Sequence, residues 1–180
     1  KMAYNLNNKL VIAISSRALF DLEEENQIFE KDGLDAYYKY QLENQDKSLK
    51  KGTGYRLVEN ILKINSFFSS DERQVEVIIL SKNNAATSLR ITNAINDLKL
   101  DIIRSAWTSG TNISNYLKAF KVDLFLSADD NDVLNAIENG VAAAKILPSN
   151  ENIHNISNEQ VRIAFDGDAV YNRCSLGLQD

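Results

Sequence analysis

The sequence contains very few of the residues that most often indicate a disulfide framework or a metal site. Its 180 residues include one each of Cys, His, Pro, Trp and Met. The single Cys174 excludes an intramolecular disulfide, and the single His154 excludes a His-rich zinc site. These absences predict a protein of a reducing compartment, and we expect it in the cytoplasm.

Long hydrophobic runs and an excess of positive charge are also missing. Apolar runs such as Leu10–Ile14 and Val77–Leu80 are far shorter than the roughly 18 residues that a membrane-spanning helix needs. Twenty Lys and Arg residues stand against 25 Asp and Glu residues, for a net charge of −5. A chain without a basic block gives nucleic acid no electrostatic footprint. We therefore expect neither a membrane segment nor a nucleic-acid partner.

The pattern that is present predicts an α/β fold with a doubly wound, mostly parallel sheet. Short apolar runs rich in β-branched residues alternate with segments of helical period, as in sheets covered by helices on both faces. The predicted strands are Leu10–Ile14, Val75–Leu80, Asp101–Ala106, Asp123–Leu126, Ala142–Leu147 and Val161–Phe165.

The same pattern predicts how the chain is divided. Residues 1–148 form one α/β domain, and a small helical cap is inserted after its first strand at about 22–70. A polar linker follows at 149–160. Residues 161–180 carry the sixth strand and begin a second, truncated domain.

The strongest candidate for chemistry is the pair Asp166 and Asp168, which ends the sixth strand. In open α/β sheets ligands bind beyond the carboxyl ends of the strands. There one carboxylate can attack phosphorus while the other transfers protons, and Mg²⁺ prefers oxygen ligands of this kind. The alternative is a plain turn, in which Asp and Gly are favoured.

Three further positions have a functional and a structural interpretation. Ser81 can hold a phosphate oxygen at a strand end, or belong to a helix N-cap region. Asp129, in the acidic cluster 127–132, can complete a metal site, although an N-cap is the more frequent use. Lys118 can meet a phosphate, although Lys on a helix is usually solvated.

Four stretches carry a resemblance to a known family: Val11–Leu22, Tyr116–Phe120, Leu124–Ala128 and Arg162–Val170. Together and in this order they resemble the cytosolic type I 5′-nucleotidases of the haloacid dehalogenase superfamily. The resemblance implies Mg²⁺-dependent hydrolysis of nucleoside 5′-monophosphates, such as AMP or IMP, through an aspartyl-phosphate. It also implies a Rossmann-like fold, with Asp166 as nucleophile and Asp168 as general acid/base.

The resemblance also suggests that the first domain is a degenerate copy of the fold. Ser15 and Arg17 then stand where an active copy has its two aspartates, while Ser81 keeps the family's phosphate-binding hydroxyl. The expected lysine falls near Ile113 and the expected acidic pair near Ser127. A rival arrangement is one permuted domain, in which the sixth strand lies centrally beside Val75–Leu80 and Asp166 and Asp168 meet Ser81, Lys118 and Asp129 or Asp132.

Two functions follow from these alternatives. The first is a 5′-nucleotidase with Asp166 and Asp168 as catalytic groups and ligands of Mg²⁺. The second is a non-catalytic module that binds nucleotide near Ser15, Arg17 and Ser81 or assembles with another subunit. The sixth strand is also a candidate for pairing with a second copy, because unpaired strand edges recruit partners.

Overall fold

A computed structural model describes residues 5–84 and 87–147 of the chain. Five parallel strands form its main sheet, in the order β5-β4-β1-β6-β7. The strands are β1 (Leu10–Ile14), β4 (Val75–Ser81), β5 (Arg104–Trp107), β6 (Leu124–Ser127) and β7 (Ala142–Lys145). The predicted doubly wound α/β fold is confirmed, because the chain runs outward from β1 through β4 to β5 and then returns to build β6 and β7.

Helices cover both faces of this sheet. They are α1 (Ser16–Leu19), α2 (Glu23–Glu43), α3 (Tyr55–Leu62), α4 (Leu89–Asp97), α5 (Ser114–Ala119) and α6 (Asp130–Glu138). One core cluster joins α3 and α4 to Ile12, Ile14 and Val77, and the other joins α5 and α6 to Val11 and Ala13. Alternate strand residues point to opposite faces, so a continuous apolar run fills both clusters.

The strands β1 and β4 begin as predicted and β6 begins one residue later, at Leu124 rather than Asp123, whereas the edge strands differ more. β5 begins at Arg104 rather than Asp101, and β7 ends at Lys145 rather than Leu147. An edge strand pairs on one side only and buries little, so an apolar run does not determine its ends. Ile103 and Leu147 are accordingly 60% and 63% exposed.

The segment expected to hold a helical cap contains α2, α3 and two short 3-10 turns at Lys63–Phe67 and Ser70–Glu72. The helix α3 packs against the sheet, since Val58 and Ile61 lie in the core with β4. The helix α2 is instead broken at Gly33, which has φ 84° and ψ −175°.

Two side-chain contacts show that the chain reverses at Gly33. Burial and the nearby Glu24 carboxylate raise the pKa of the Tyr40 hydroxyl, and the rings of Phe29 and Tyr37 meet edge to face at 5.9 Å. In a continuous helix residues 24 and 40 would be about 24 Å apart. The two halves of α2 therefore lie against each other, and we call residues 23–48 the helical hairpin.

A narrow neck joins the helical hairpin to the domain. It consists of the two-residue antiparallel strands β2 (Phe20–Asp21) and β3 (Lys50–Lys51). Beside it, the backbone N–H groups of Gly52 and Gly54 donate to the carbonyls of Leu19 and Ala18, both at 2.9 Å. A Cβ on Gly54 would lie 2.6 Å from the Ala18 oxygen, so glycine is required there.

The strand order excludes the rival permuted arrangement. β4 is paired with β1 on one side and with β5 on the other. A strand can have only two neighbours in a sheet, so no place beside Val75–Leu80 remains for a sixth strand. The central strand is β1, and the residues that follow it occupy the centre of the carboxyl edge.

Candidate functional site at the carboxyl edge

Three serines converge where the central strands end. Ser15 follows β1, Ser81 ends β4 and Ser127 ends β6, and each is at most 9% exposed. The Ser15 N–H donates to the Leu126 carbonyl at 2.9 Å, and the hydroxyls of Ser16 and Ser81 share a hydrogen bond of 3.0 Å. Two of the predicted positions, Ser15 and Ser81, are thus at neighbouring strand ends.

Arg17 lies beside these serines but faces the solvent. It is the second residue of α1, whose N-cap is Ser15, with the Ser15 hydroxyl accepting from the Ala18 N–H at 3.3 Å. Burial raises the pKa of the Tyr37 hydroxyl, and the positive charge of Arg17 opposes that rise. Arg17 is therefore close enough to the helical hairpin to act on it electrostatically.

An ion pair crosses the carboxyl edge above the central strand. Lys82 follows β4 and its Nζ lies 2.6 Å from Oδ1 of Asp132, in the first turn of α6. Because β1 lies between β4 and β6, this pair spans the end of β1. Asp132 is 7% exposed, and the Lys82 ammonium neutralises its charge within the protein.

Asp129 caps a helix. Its Oδ1 accepts from the Asp132 N–H at 3.0 Å, and its own N–H donates to the Ser127 hydroxyl at 3.2 Å. This is the geometry of an N-cap, the structural alternative for this residue. The cap does not test the predicted role of Asp129 as a metal ligand, which stays a prediction.

The described part of this edge does not fit a divalent cation. Within residues 5–84 and 87–147 no three His, Cys, Asp or Glu side chains lie close enough to hold a metal ion. Hydroxyl groups stand at the ends of β1 and β6, and the nearby Asp132 already has the Lys82 ammonium as its partner. Hydroxyls without carboxylates are poor ligands for Mg²⁺.

Of the remaining predicted residues, the structure describes Lys118, and it is not brought to this edge. Lys118 is exposed in the last turn of α5, and the chain runs from there to the amino end of β6. Lys118 therefore lies towards the opposite end of the sheet from Ser15 and Ser81. Asp166 and Asp168 lie outside the described residues, so their roles stay predictions.

The helical hairpin supplies groups that the sequence analysis did not assign. The Tyr37 hydroxyl donates to Oδ1 of Asn83 at 2.9 Å and accepts from Nε2 of Gln41 at 3.1 Å. Asn83 lies two residues after Ser81, the end of β4, and a polar residue just after a strand could have been predicted to lie at the carboxyl edge. Nothing in the sequence pairs it with Tyr37, which is 46 residues away and reaches it only through the reversal at Gly33.

No helix of the described residues is both long and apolar enough to cross a membrane.

Comparison with known proteins agrees with the resemblance seen in the motifs. The 5′-nucleotidase family model matches residues 2–173. Human cytosolic 5′-nucleotidase 1B is 32% identical over 167 residues, which cover 91% of this chain and 27% of that protein. The chain thus spans about a quarter of the length of this relative. A family match over nearly every residue, on a sheet of the expected topology, shows that the chain belongs to the 5′-nucleotidase family.

Proposed function

We propose that the protein hydrolyses nucleoside 5′-monophosphates to nucleoside and phosphate, with Asp166 and Asp168 as the catalytic pair. The observation that supports this most directly is the extent of the family match, which runs through residue 173 and so includes both aspartates. The name of the human relative specifies a 5′-nucleotidase. AMP and IMP are the substrates that we would test first.

The two carboxylates divide the chemistry in this proposal. A carboxylate oxygen of Asp166 attacks phosphorus, the bond to the 5′-oxygen breaks, and Asp168 gives that oxygen its proton. Asp168 then takes a proton from water, whose oxygen attacks the aspartyl-phosphate and releases phosphate. Mg²⁺ is part of the proposal because these two residues are oxygen ligands of the kind it prefers.

The test is Mg²⁺-dependent phosphate release from AMP and IMP by the 180-residue chain. We expect Asp166→Asn to lower turnover by about a thousandfold or more without changing the melting temperature. Asp35→Asn, which changes an exposed carboxylate of the helical hairpin in the same way, is the matched control and keeps full activity. Full activity in Asp166→Asn would contradict the assignment of Asp166 as the nucleophile.

A second candidate function is a non-catalytic module, and one observation favours it. At the carboxyl edge of the described domain, Ser15 and Ser127 stand where the family resemblance implies carboxylates. Such an edge can offer hydrogen bonds to a nucleotide but no nucleophilic carboxylate. If this function holds, the chain releases no phosphate, while AMP raises its melting temperature and Ser81→Ala together with Arg17→Met reduces that rise.

We also propose a cytoplasmic location and self-association through the sixth strand, Val161–Phe165. The location is supported by the cytosolic relative. A charged residue in the middle of a pairing strand disfavours edge-to-edge contact. Light scattering of the wild type and of Ile163→Lys tests the second proposal: we expect a dimer that the substitution dissociates, and a monomeric wild type would contradict it.

A further inference from the structure

The ammonium of Lys82 is a fixed positive charge at the carboxyl edge. Its Nζ lies 2.6 Å from Oδ1 of Asp132, and the Asp132 side chain is buried. Two opposite charges this close, one of them withdrawn from water, attract each other more strongly than an exposed surface pair. The Lys82–Asp132 pair therefore holds an ammonium over the end of β1, where the chain has Ser15.

The backbone on the lysine side of this pair is held by the loop that follows β5. The Gly110 N–H donates to the Lys82 carbonyl at 2.8 Å. One residue earlier, the Ser81 carbonyl accepts from the Thr108 N–H at 3.0 Å. These two hydrogen bonds fix the point from which the Lys82 side chain starts, so it reaches Asp132 from a defined position on the edge of the sheet.

The carboxylate side of the pair is held by the first turn of α6. The Asp132 N–H donates to Oδ1 of the N-cap Asp129 at 3.0 Å. The Asp129 carboxylate faces the positive end of the α6 dipole, and Nζ of Lys145 lies 2.6 Å from Oδ2 of Asp130. Asp132 is therefore the carboxylate of this turn that the Lys82 ammonium neutralises.

The charges at this edge fit a monovalent cation. Mg²⁺ is held by oxygen ligands, and the carboxylates among them offset its double charge. The family resemblance implies carboxylates at the ends of β1 and β6, but the chain has the hydroxyls of Ser15 and Ser127 there. The single negative charge of Asp132 balances one ammonium, whereas it would leave a divalent ion half neutralised.

We propose that Lys82 is the resident cation of this edge: its ammonium takes the place of a divalent ion and keeps Mg²⁺ away from Asp132. Without the ammonium, the Asp132 carboxylate becomes a ligand for a divalent cation. The Ser127 hydroxyl and the Asp129 carboxylate, which lie in the same turn, are further oxygens for it. The role of Lys82 does not depend on the proposed hydrolysis, because its ion pair involves neither of the two catalytic aspartates.

Thermal denaturation of the 180-residue chain with and without Mg²⁺ tests this role. Asp166→Asn and Asp168→Asn together define the background chain, which lacks the Mg²⁺ ligands of the proposed hydrolysis. NaCl of equal ionic strength controls for screening. In the background chain Mg²⁺ should raise the melting temperature no more than NaCl does. Adding Lys82→Met should lower the melting temperature by about 5 °C, of which Mg²⁺, but not NaCl, should recover about 3 °C.

Lys145→Met in the background chain is the matched control. Lys145 forms a pair of the same length with a carboxylate of the same helix, but the Asp130 side chain is 68% exposed and already solvated. This variant should show no recovery that is specific to Mg²⁺. Lys82→Met combined with Asp132→Asn should also lose the recovery, because the carboxylate that binds the divalent ion is then gone.

Lys82→Met without a Mg²⁺-specific recovery would overturn the proposal, as would a background chain that Mg²⁺ stabilises equally with Lys82 in place. Binding of Mn²⁺ to the background chain needs no change to the ion pair, so it decides the question even if Lys82→Met fails to fold. We expect paramagnetic Mn²⁺ to leave the amide NMR signals of residues 127–132 sharp. Selective broadening of these signals would show that a divalent ion binds beside Lys82 and would contradict the proposal.

Discussion

At the scale of single residues, the centre of the carboxyl edge consists of hydroxyl groups that are already bonded within the protein. Ser16 and Ser81 bond to each other, and the Ser127 hydroxyl accepts from the Asp129 N–H. The Lys82–Asp132 pair neutralises a nearby carboxylate. Each of these groups therefore has a partner within the protein.

One conservative substitution distinguishes the N-cap role of Asp129 from its predicted role as a metal ligand. Asn is as good an N-cap as Asp, so Asp129→Asn should alter the free energy of unfolding by less than about 0.5 kcal/mol, whereas Asp129→Ala should cost about 1 kcal/mol. Urea denaturation measures both. If Asp129→Asn is stable but needs more Mg²⁺ for turnover, Asp129 is also a metal ligand.

Tyr55 predicts how stability changes at alkaline pH. Burial, together with the nearby Glu59 carboxylate, raises the pKa of Tyr55 from 10.0 to about 12. The unfolded chain therefore ionises this hydroxyl first. The contribution of the protonated Tyr55 hydroxyl to the free energy of unfolding is fully present below pH 10 and is lost as the pH rises through about 12.

The measurement is denaturation midpoint against pH, with phenolate absorbance followed in parallel. In Tyr55→Phe the fall of the midpoint between pH 10 and about 12 should be shallower than in the wild type, and the highest-pH phenolate step should disappear. An unchanged slope would mean that other groups control alkaline unfolding.

At the scale of elements, the turn from β1 through α1 to β2 depends on close backbone contact with Gly52 and Gly54. Their N–H groups bond to the carbonyls of Leu19 and Ala18. Gly52-Thr53-Gly54 does not match a phosphate-binding loop in sequence, and its observed role is to allow this approach. The contact fixes both the first turn after β1 and the neck of the helical hairpin.

Gly54→Ala should therefore destabilise the protein strongly. The new Cβ would meet the Ala18 oxygen at 2.6 Å, and relieving such overpacking costs about 3 kcal/mol. Gly110→Ala is the comparison: its φ of 84° carries a backbone penalty of about 1 kcal/mol, but the space around it is open. Similar losses in the two variants, measured by urea denaturation, would argue against the steric role of Gly54.

At the scale of the whole molecule, residues 11–141 contain both core clusters, one on each face of the sheet. No fully buried apolar residue of these clusters lies beyond Val141 in the described part of the chain. The described residues thus place a hydrophobic core on each face of the sheet, and the domain boundary at residue 148 stays a prediction.

A chain ending at residue 148 should therefore fold alone. We expect a single cooperative thermal transition within about 5 °C of that of the 180-residue chain, since a change of about 1 kcal/mol moves the midpoint by only a few degrees at this size. Calorimetry of the two chains makes the comparison. An insoluble or partly folded short chain would show that residues after 148 complete the core.

The sequence by itself was sufficient for the central strands and their parallel arrangement, because Leu10–Ile14 and Val77–Leu80 are apolar on both faces and must be covered by helices. It also predicted Ser81 at the end of a strand, and the family resemblance added Ser15; the structure brings the two to neighbouring strand ends, while their roles in binding stay predictions. The family motifs indicated the aspartates at 166 and 168. These inferences use local pattern, connectivity and the family resemblance.

Only the tertiary structure decided what depends on contacts between distant residues. It excluded a sixth strand beside β4, because both sides of that strand are already paired. It gave Asp132 a partner in Lys82, and Tyr37 a partner in Asn83. Polar side chains far apart in sequence follow no periodic pattern that predicts their pairing, so packing alone determines which of them meet.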